Sequence, residues 1–251
     1  MEQKKVYPGQ NQAQNRGRSS NVKSEQKYDR FGETIRYLTI SELQRFMDSI
    51  DNYEHKLMMR TIYQLGCRVG EFVRIQLKHL DFGRSSIYFP AENTKTGHRR
   101  SSYLPRGLTN EIKSKLRREG RMNKTDEQIK NPEQFLFFPR ENRNSPYTEN
   151  RIRQIFMKYV RKASLDRTYM TDARGRRLHE LTVHSLRHSH IMHYIHTYRL
   201  PLAVVQKQVG HRSLKGTSAY LKPSQEAVAN AYESANSKQQ HPTESHLMSE
   251  R

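Results

Sequence analysis

The sequence predicts a mainly α-helical fold with a small antiparallel β-sheet (α+β). Apolar residues recur at helical spacing in most segments between residues 37 and 235. Two short runs with the pattern of strands, 86–89 and 101–104, flank a turn-forming tip, Asn-Thr-Lys-Thr-Gly, at 93–97. We therefore expect one small hairpin that interrupts an otherwise helical domain.

The elements follow in order along this domain. Thr39 and Glu42 form a capping-box pattern that predicts a helix through Leu43, Phe46, Met47 and Ile50. A second helix is predicted from about residue 54 to Leu65, ending at Gly66. A third is predicted to start near Val69, with Phe72, Val73, Leu77 and Leu80 at helical spacing.

The second half continues the helical pattern after the hairpin. The short apolar run 136–138 predicts a strand or a buried loop, and the polar stretch 166–180 an exposed basic hairpin or loop. Six helices are predicted, at 108–119, 149–163, 185–197, 201–209, 214–221 and 224–235.

Composition limits the functions that the chain can have. Among its 251 residues, 45 Lys and Arg stand against 25 Asp and Glu, for a net charge of +20. Basic charge of this size favours a nucleic-acid partner. The single cysteine, Cys67, excludes an intramolecular disulfide framework and a multi-cysteine zinc site. No apolar run reaches the roughly 20 residues of a membrane span, and the first 20 residues lack the apolar region of a secretory signal.

The polar ends define the expected domain boundaries. Residues 1–36 predict a disordered basic arm, 37–235 one folded domain, and 236–251 a disordered tail. We expect an intracellular protein with an anionic partner and without a membrane partner.

The distribution of charge is more informative than its total. No Asp or Glu occurs in residues 181–221, which hold five Lys or Arg and six His. Residues 93–110 also lack acids and carry Lys95, Arg99, Arg100 and Arg106. A solvated helix face normally mixes both signs, so these two windows predict a surface for a polyanion.

His184 and Arg187 are the first candidates for chemistry. They lie three residues apart, so one helical turn can direct both at the same phosphate; the guanidinium can stabilise charge and a neutral imidazole can accept a proton. The pair His184 and His188 also has zinc-ligand spacing, but no carboxylate is nearby to complete a catalytic metal site. We expect no metal, and we expect His190, His193 and His196 to be surface or hydrogen-bonded core residues.

Four further candidates are weak when each is taken alone. Arg68 follows a helix-ending glycine and could cap or pair with Glu71; Lys95 lies at the hairpin tip; His211 follows Gly210. Tyr220 comes nine residues after His211, and as one of 14 tyrosines it could simply be part of the core. Cys67 lacks the accompanying signature of a nucleophilic cysteine.

The order of these motifs resembles the tyrosine recombinase (phage integrase) family over residues 37–235. The resemblance implies that Arg68 and Arg187 clamp the scissile phosphate and that Glu71 supports Arg68. It implies roles for Lys95 as general acid, His184 as base, His211 as hydrogen-bond donor and Tyr220 as nucleophile. It further implies a site-specific DNA recombinase or integrase that cleaves and rejoins double-stranded DNA through a 3′-phosphotyrosyl intermediate, without metal, ATP or other cofactor, and a tetramer of protomers in the synapse. Members of this family act at the nucleoid in the cytoplasm and are often encoded by viruses, plasmids or integrated elements.

Relatives in this family usually carry an N-terminal core-binding domain, and residues 1–36 are too short and polar to form one. We therefore expect a short form that consists of the catalytic domain. Three functions are alternatives to a recombinase: a type IB topoisomerase, a DNA-binding regulator without catalysis and, more remotely, a metal-dependent nuclease. Type IB topoisomerases typically have lysine where His184 stands. Residues 224–235 could pack on another protomer or on their own domain.

Overall fold

A computed structural model describes residues 36–94, 97–123, 125, 127–171, 177–211 and 232–233. These residues form seven helices and two small antiparallel sheets, which confirms the predicted mainly α fold. The helices are α1 (Ile40–Asp48), α2 (Tyr53–Leu65), α3 (Val69–Val73), α4 (Arg106–Arg118), α5 (Glu149–Lys162), α6 (His184–Met192) and α7 (Leu202–Val209). The strands are β1 (Leu80–Asp81), β2 (Ser86–Phe89), β3 (Arg100–Tyr103), β4 (Thr168–Thr171) and β5 (Arg177–His179).

Helix α1 begins as the capping-box pattern predicts. The Thr39 side chain accepts a hydrogen bond from the Glu42 backbone, and the Glu42 carboxylate accepts one from the Thr39 backbone at 2.8 Å. The opposite face of the helix buries Leu43 and Phe46, and the Phe46 ring lies 5.1 Å from that of Phe156 on α5. Two backbone N–H groups at the start of α1 thus gain hydrogen-bond acceptors, and the apolar face of the helix packs into the core.

The predicted third helix is wrong in its second half. Helix α3 ends at Val73, a 3₁₀ turn covers Leu77–His79, and Leu80 already belongs to β1. The backbone here bonds to a distant segment instead: Leu136 N–H donates to Ile75 O at 2.7 Å, and Leu77 N–H to Gln134 O at 2.9 Å. The apolar spacing reflects burial against residues 132–136, a tertiary contact that overrides the helical pattern.

The predicted hairpin forms the larger sheet, to which the structure adds β1. The strand order is β1-β2-β3, and β2 pairs with β3 so that Phe89 lies opposite Arg100 and Ile87 opposite Ser102. Ile87, Phe89 and Ser102 are buried, so one face of the hairpin covers the helices. The run 136–138 is a loop with Leu136 and Phe137 buried, and 166–180 contains the β4–β5 hairpin.

Helix α6 continues into a π turn, His193–Thr197, before α7. Ile191, Ile195, Val205 and Val209 form a small second core between these elements, beside the main core of α1 to α5 and the sheet. The predicted helix 214–221 lies outside the described residues, as does most of the predicted helix 224–235. No helix in the described part of the chain is long and apolar enough to cross a bilayer.

Candidate active site

Arg68 is placed by the sharp end of α2. Gly66 closes that helix in the left-handed conformation, with φ +57°, and the chain turns directly into α3. The Arg68 N–H donates to Glu71 Oε2 at 2.8 Å, and its Nη1 donates to Oε1 at 3.2 Å. The Arg68 side chain is 25% exposed, whereas that of Glu71 is 1% exposed. A buried carboxylate therefore fixes both the backbone and the head of a solvent-accessible arginine.

Arg187 lies deep in the fold on the buried side of α6. It is 2% exposed, and its Nη1 donates to the carbonyl of Gly66 at 2.6 Å. Its Nη2 is buried and has no hydrogen-bond acceptor among the residues that the structure describes. Burial, and next the charge of Arg68, lowers the pKa of Arg187 to about 10. The guanidinium is therefore still a cation at neutral pH, with one buried donor available to an anion.

His184 stands at the mouth of the same region as the first residue of α6. It is exposed, and its ring packs edge-on against His188 at a centroid distance of 4.6 Å. With Arg68 and Glu71 it lines a cleft of about 530 Å³. The helical spacing thus directs His184 to the cleft wall and Arg187 to the interior.

His211 enters from the other side, directly after α7. With Glu71, Arg100 and Gly210 it lines a smaller cleft of about 140 Å³, and Glu71 and Thr94 border both clefts. Burial, followed by the charges of Arg187 and Arg68, lowers the pKa of His211 to about 4. A neutral imidazole beside two arginines makes a strongly electropositive pocket that fits an anion.

The structure therefore brings four of the six predicted site residues together: Arg68, His184, Arg187 and His211. Lys95 and Tyr220 lie outside the described residues. Thr94, immediately before Lys95, borders both clefts, and its hydroxyl donates to His98 O at 2.9 Å across the hairpin tip. The base of the tip is thus adjacent to the arginine and histidine cluster.

Arg100 is the residue of this cluster that the sequence reasoning missed as a site residue. Its Nη2 donates to Glu71 Oε2 at 2.9 Å, so it shares with Arg68 the same buried carboxylate. The sequence alone gives only the alternation along β3, which puts Arg100 on the same face as Ser102; the register with β2 is what turns that face toward the core.

The remaining candidates do not line either cleft. His193 is buried, with its Nδ1 hydrogen-bonded to the Tyr63 hydroxyl at 3.0 Å and its Nε2 to Leu38 O at 2.9 Å. His190 is buried and stacks on Tyr194, and His196 is half-buried. Burial raises the pKa of the Cys67 thiol to about 12, which disfavours the nucleophilic thiolate. No metal-binding group of three His, Cys, Asp or Glu side chains occurs within the described ranges.

The chain is similar in sequence to known proteins of one family. The model of the phage integrase family matches residues 36–227, and the chain belongs to that family. Tyrosine recombinase XerA of Pyrococcus furiosus is 27% identical over 203 residues, 79% of this chain and 61% of the relative. A probable site-specific recombinase from the afa region of Escherichia coli is 23% identical, over 76% of this chain and 72% of the relative.

Solved structures share the fold. A crystal structure of XerA recombinase has a TM-score of 0.55 and 19% identity, over 82% of this chain and 66% of that one. XerH recombinase bound to its difH substrate before cleavage has a TM-score of 0.56 and 21% identity, over 77% of this chain and 52% of that one. The chain thus spans about three fifths of the length of the Pyrococcus relatives it matches, 61% and 60%.

Proposed function

We propose that this protein is a site-specific DNA recombinase that cuts and rejoins DNA through a 3′-phosphotyrosyl intermediate. Residues 37–235 would form its catalytic domain, with Arg68, Lys95, His184, Arg187, His211 and Tyr220 as catalytic residues. The observation that carries the proposal is the buried Arg187, whose Nη2 has no acceptor among the described residues although it lies beside a second arginine and two histidines.

A buried cation of this kind is unfavourable without an anionic partner. Desolvation of an arginine costs several kcal/mol, and the charge of Glu71 offsets only part of it. The two N–H groups of Nη2 have no acceptor among the described residues. A phosphate that enters the cleft supplies the missing acceptor and a compensating charge. Arg68, fixed by Glu71 at the cleft wall, supplies a second guanidinium. The pair is suited to stabilise the charge on the equatorial oxygens of a phosphoryl group in transfer.

Each step of the proposed reaction replaces one phosphate ester bond with another. The Tyr220 oxygen attacks the scissile phosphorus as His184 accepts its proton, and the bond to the 5′-oxygen breaks as Lys95 donates a proton to that oxygen. His211 is neutral at neutral pH in the DNA-free protein and donates a hydrogen bond to a phosphate oxygen. A 5′-hydroxyl of the partner strand then attacks the phosphotyrosyl ester and releases Tyr220. One phosphodiester replaces another, so the reaction needs no external energy source.

The proposed partner is double-stranded DNA. The net charge of +20 favours a polyanionic partner. Arg68 and Arg74 line the larger cleft, and Arg99 and Arg100 line the smaller one. Among the solved structures with this fold, XerH is bound to difH and a lambda integrase dimer is bound to a core site. We infer by analogy a homo-oligomer on DNA, with a tetramer as the synaptic form, acting at the nucleoid in the cytoplasm.

The test is capture of the covalent intermediate. The purified full chain is incubated, in excess EDTA, with a library of nicked duplexes of random sequence around a fixed nick. Cleavage near the nick releases a short 5′-hydroxyl fragment that diffuses away and traps the enzyme on the 3′ end. We expect a denaturant-resistant adduct whose DNA shares a sequence. DNA binding without any adduct would indicate a non-catalytic regulator, and adduct formation at unrelated sequences would favour a topoisomerase.

A further inference from the structure

Arg100 connects the two halves of the cluster; it lines the smaller cleft but is not part of the catalytic set proposed above. Its side chain is 10% exposed, and its guanidinium carbon lies 4.0 Å above the centre of the Phe89 ring. The strand register places the two residues opposite each other on β2 and β3. The arginine is thus held by packing on one side and makes its hydrogen bonds from the two ends of its planar head.

One end of the guanidinium holds the carboxylate that supports Arg68. Arg100 Nη2 donates to Glu71 Oε2 at 2.9 Å, the same oxygen that accepts the Arg68 N–H at 2.8 Å. Burial acts to raise the pKa of Glu71, but the charge and hydrogen bond of Arg100, with the Arg68 N–H and the charge of Arg187, together hold that pKa below its usual range. Glu71 is therefore a carboxylate at neutral pH and remains a firm acceptor for Arg68.

The other end holds the last turn of α7. Arg100 Nη1 donates to the carbonyl of Gln208 at 2.8 Å and to the Ser102 hydroxyl, which itself donates to Gln208 O at 2.7 Å. The Gln208 side chain also exchanges two hydrogen bonds with the Tyr103 backbone, at 2.8 and 3.0 Å. These bonds fasten α7 to β3 just before His211.

Gly210 shows how close this contact is. It takes the left-handed conformation that ends α7, with φ +71°, and a Cβ atom at this position would overlap the Arg100 side chain. The turn that leads into His211 is therefore packed directly on the stem of Arg100.

We propose that Arg100 is a positioning residue that sets Arg68 and His211 at the right separation to contact one phosphate. This inference rests on the proposed recombinase function and deepens it. Arg100 acts on Arg68 through Glu71 and on His211 through Gln208. A planar guanidinium can bond to both at once, whereas the single ammonium of lysine cannot reproduce the fork. Displacement of catalytic groups by about 1 Å costs roughly 100-fold in rate, so loss of the fork slows cleavage even if the fold is intact.

The chain offers a matched control in Arg121. It is 8% exposed, donates to Glu119 at 3.1 Å and to the Leu136 carbonyl at 3.2 Å, and lies 4.7 Å above the Phe138 ring. It makes the same kinds of contact as Arg100, but with residues that do not border the two clefts. Arg121→Lys and Arg121→Gln therefore measure the effect of losing a buried structural arginine.

The experiment compares Arg100→Lys, Arg100→Gln and the two Arg121 variants. Adduct formation is followed in single turnover at saturating protein, below the melting temperature of every variant, with DNA affinity and thermal unfolding measured in parallel. We expect both Arg100 variants to slow adduct formation about tenfold or more, and Arg100→Lys, which keeps the charge, to bind DNA within about threefold of the unmodified protein. We expect the Arg121 variants to lower stability and leave the rate unchanged.

A second substrate separates positioning from stability. A methylphosphonate at the scissile position removes the negative charge that the arginine pair stabilises. The rate deficit of Arg100→Lys should shrink on this substrate, since correct placement of Arg68 then matters less; an equal deficit on both substrates contradicts the proposal. Equal rates for the Arg100 and Arg121 variants also overturn it while leaving the recombinase function standing. Failure of the unmodified protein to form any adduct overturns the recombinase function itself.

Discussion

The replacement of Arg187 by methionine separates function from stability more sharply than any other change in the cluster. Methionine keeps an unbranched apolar stem, although a shorter one, and removes the charge and the donors. The transition state loses a preorganised cationic donor, which typically costs roughly 10²- to 10³-fold, or about 3 to 4 kcal/mol. We expect single-turnover adduct formation to fall by about 100-fold or more.

The effect on stability follows from the pKa of the same residue. Its fall from 12.5 to about 10 means that the folded protein disfavours the cation by about 3 kcal/mol. Methionine relieves that cost but leaves the buried Gly66 carbonyl without its 2.6 Å donor, a penalty of about 1 to 3 kcal/mol. The two terms nearly cancel, so the free energy of unfolding should change by no more than about 2 kcal/mol.

The assay pairs adduct kinetics at saturating protein with urea unfolding of the DNA-free protein. A near-normal rate in Arg187→Met would show that Arg187 is structural. A loss of more than about 4 kcal/mol of stability would show that the arginine is well satisfied in the folded protein, and would refute the argument that it awaits an anion.

Three further predictions concern the metal, the buried histidines and the N-terminal residues. Adduct formation should survive excess EDTA, because no metal is assigned a role. If EDTA abolished adduct formation and added zinc or magnesium restored it, a metal site would be favoured. Burial lowers the pKa of His190 from 6.5 to about 3, so the unfolded chain binds a proton below pH 6.5 that the folded chain refuses. The free energy of unfolding should therefore fall by about 2 kcal/mol for this residue between pH 7.5 and 5, and an unchanged urea midpoint would contradict this. Deletion of residues 1–33, with seven Lys or Arg against four Asp or Glu, should modestly flatten the salt dependence of DNA affinity without changing the preferred site; a changed site preference at constant slope would show that these residues contact bases.

Local signals predicted local structure well. The capping box of Thr39 and Glu42, the stop at Gly66 and the stop near Gly120 depend on hydrogen bonds and dihedral angles within a few residues, and helices α1, α2 and α4 begin and end close to where the sequence indicates. The prediction of the third helix was wrong beyond Val73, because the backbones of Ile75 and Leu77 hydrogen-bond to residues about 60 positions away. The two-residue strand β1 is too short to leave a pattern.

The site residues also divide into those that local spacing predicts and those that depend on contacts between distant parts of the chain. The spacing of His184 and Arg187 placed both residues correctly on one helical turn, and the order of the motifs indicated Arg68 and His211 through family resemblance. The role of Arg100 could not be predicted from spacing, because it depends on the β2–β3 register and on α7 docking against β3, contacts that join residues 29 and 108 positions apart.

The identity of the nucleophile decides whether the proposed reaction takes place in this protein. The trapped adduct is digested with protease and nuclease, and the peptide that carries the nucleotide is identified by mass spectrometry, with Tyr220→Phe and Tyr88→Phe measured beside the unmodified chain. Tyr88 is 41% exposed on β2 and serves as a matched control. We predict that the nucleotide is attached to Tyr220, that Tyr220→Phe binds DNA normally but forms no adduct, and that Tyr88→Phe forms it at the normal rate. An adduct that persists in Tyr220→Phe, or that maps to another residue, would contradict the account.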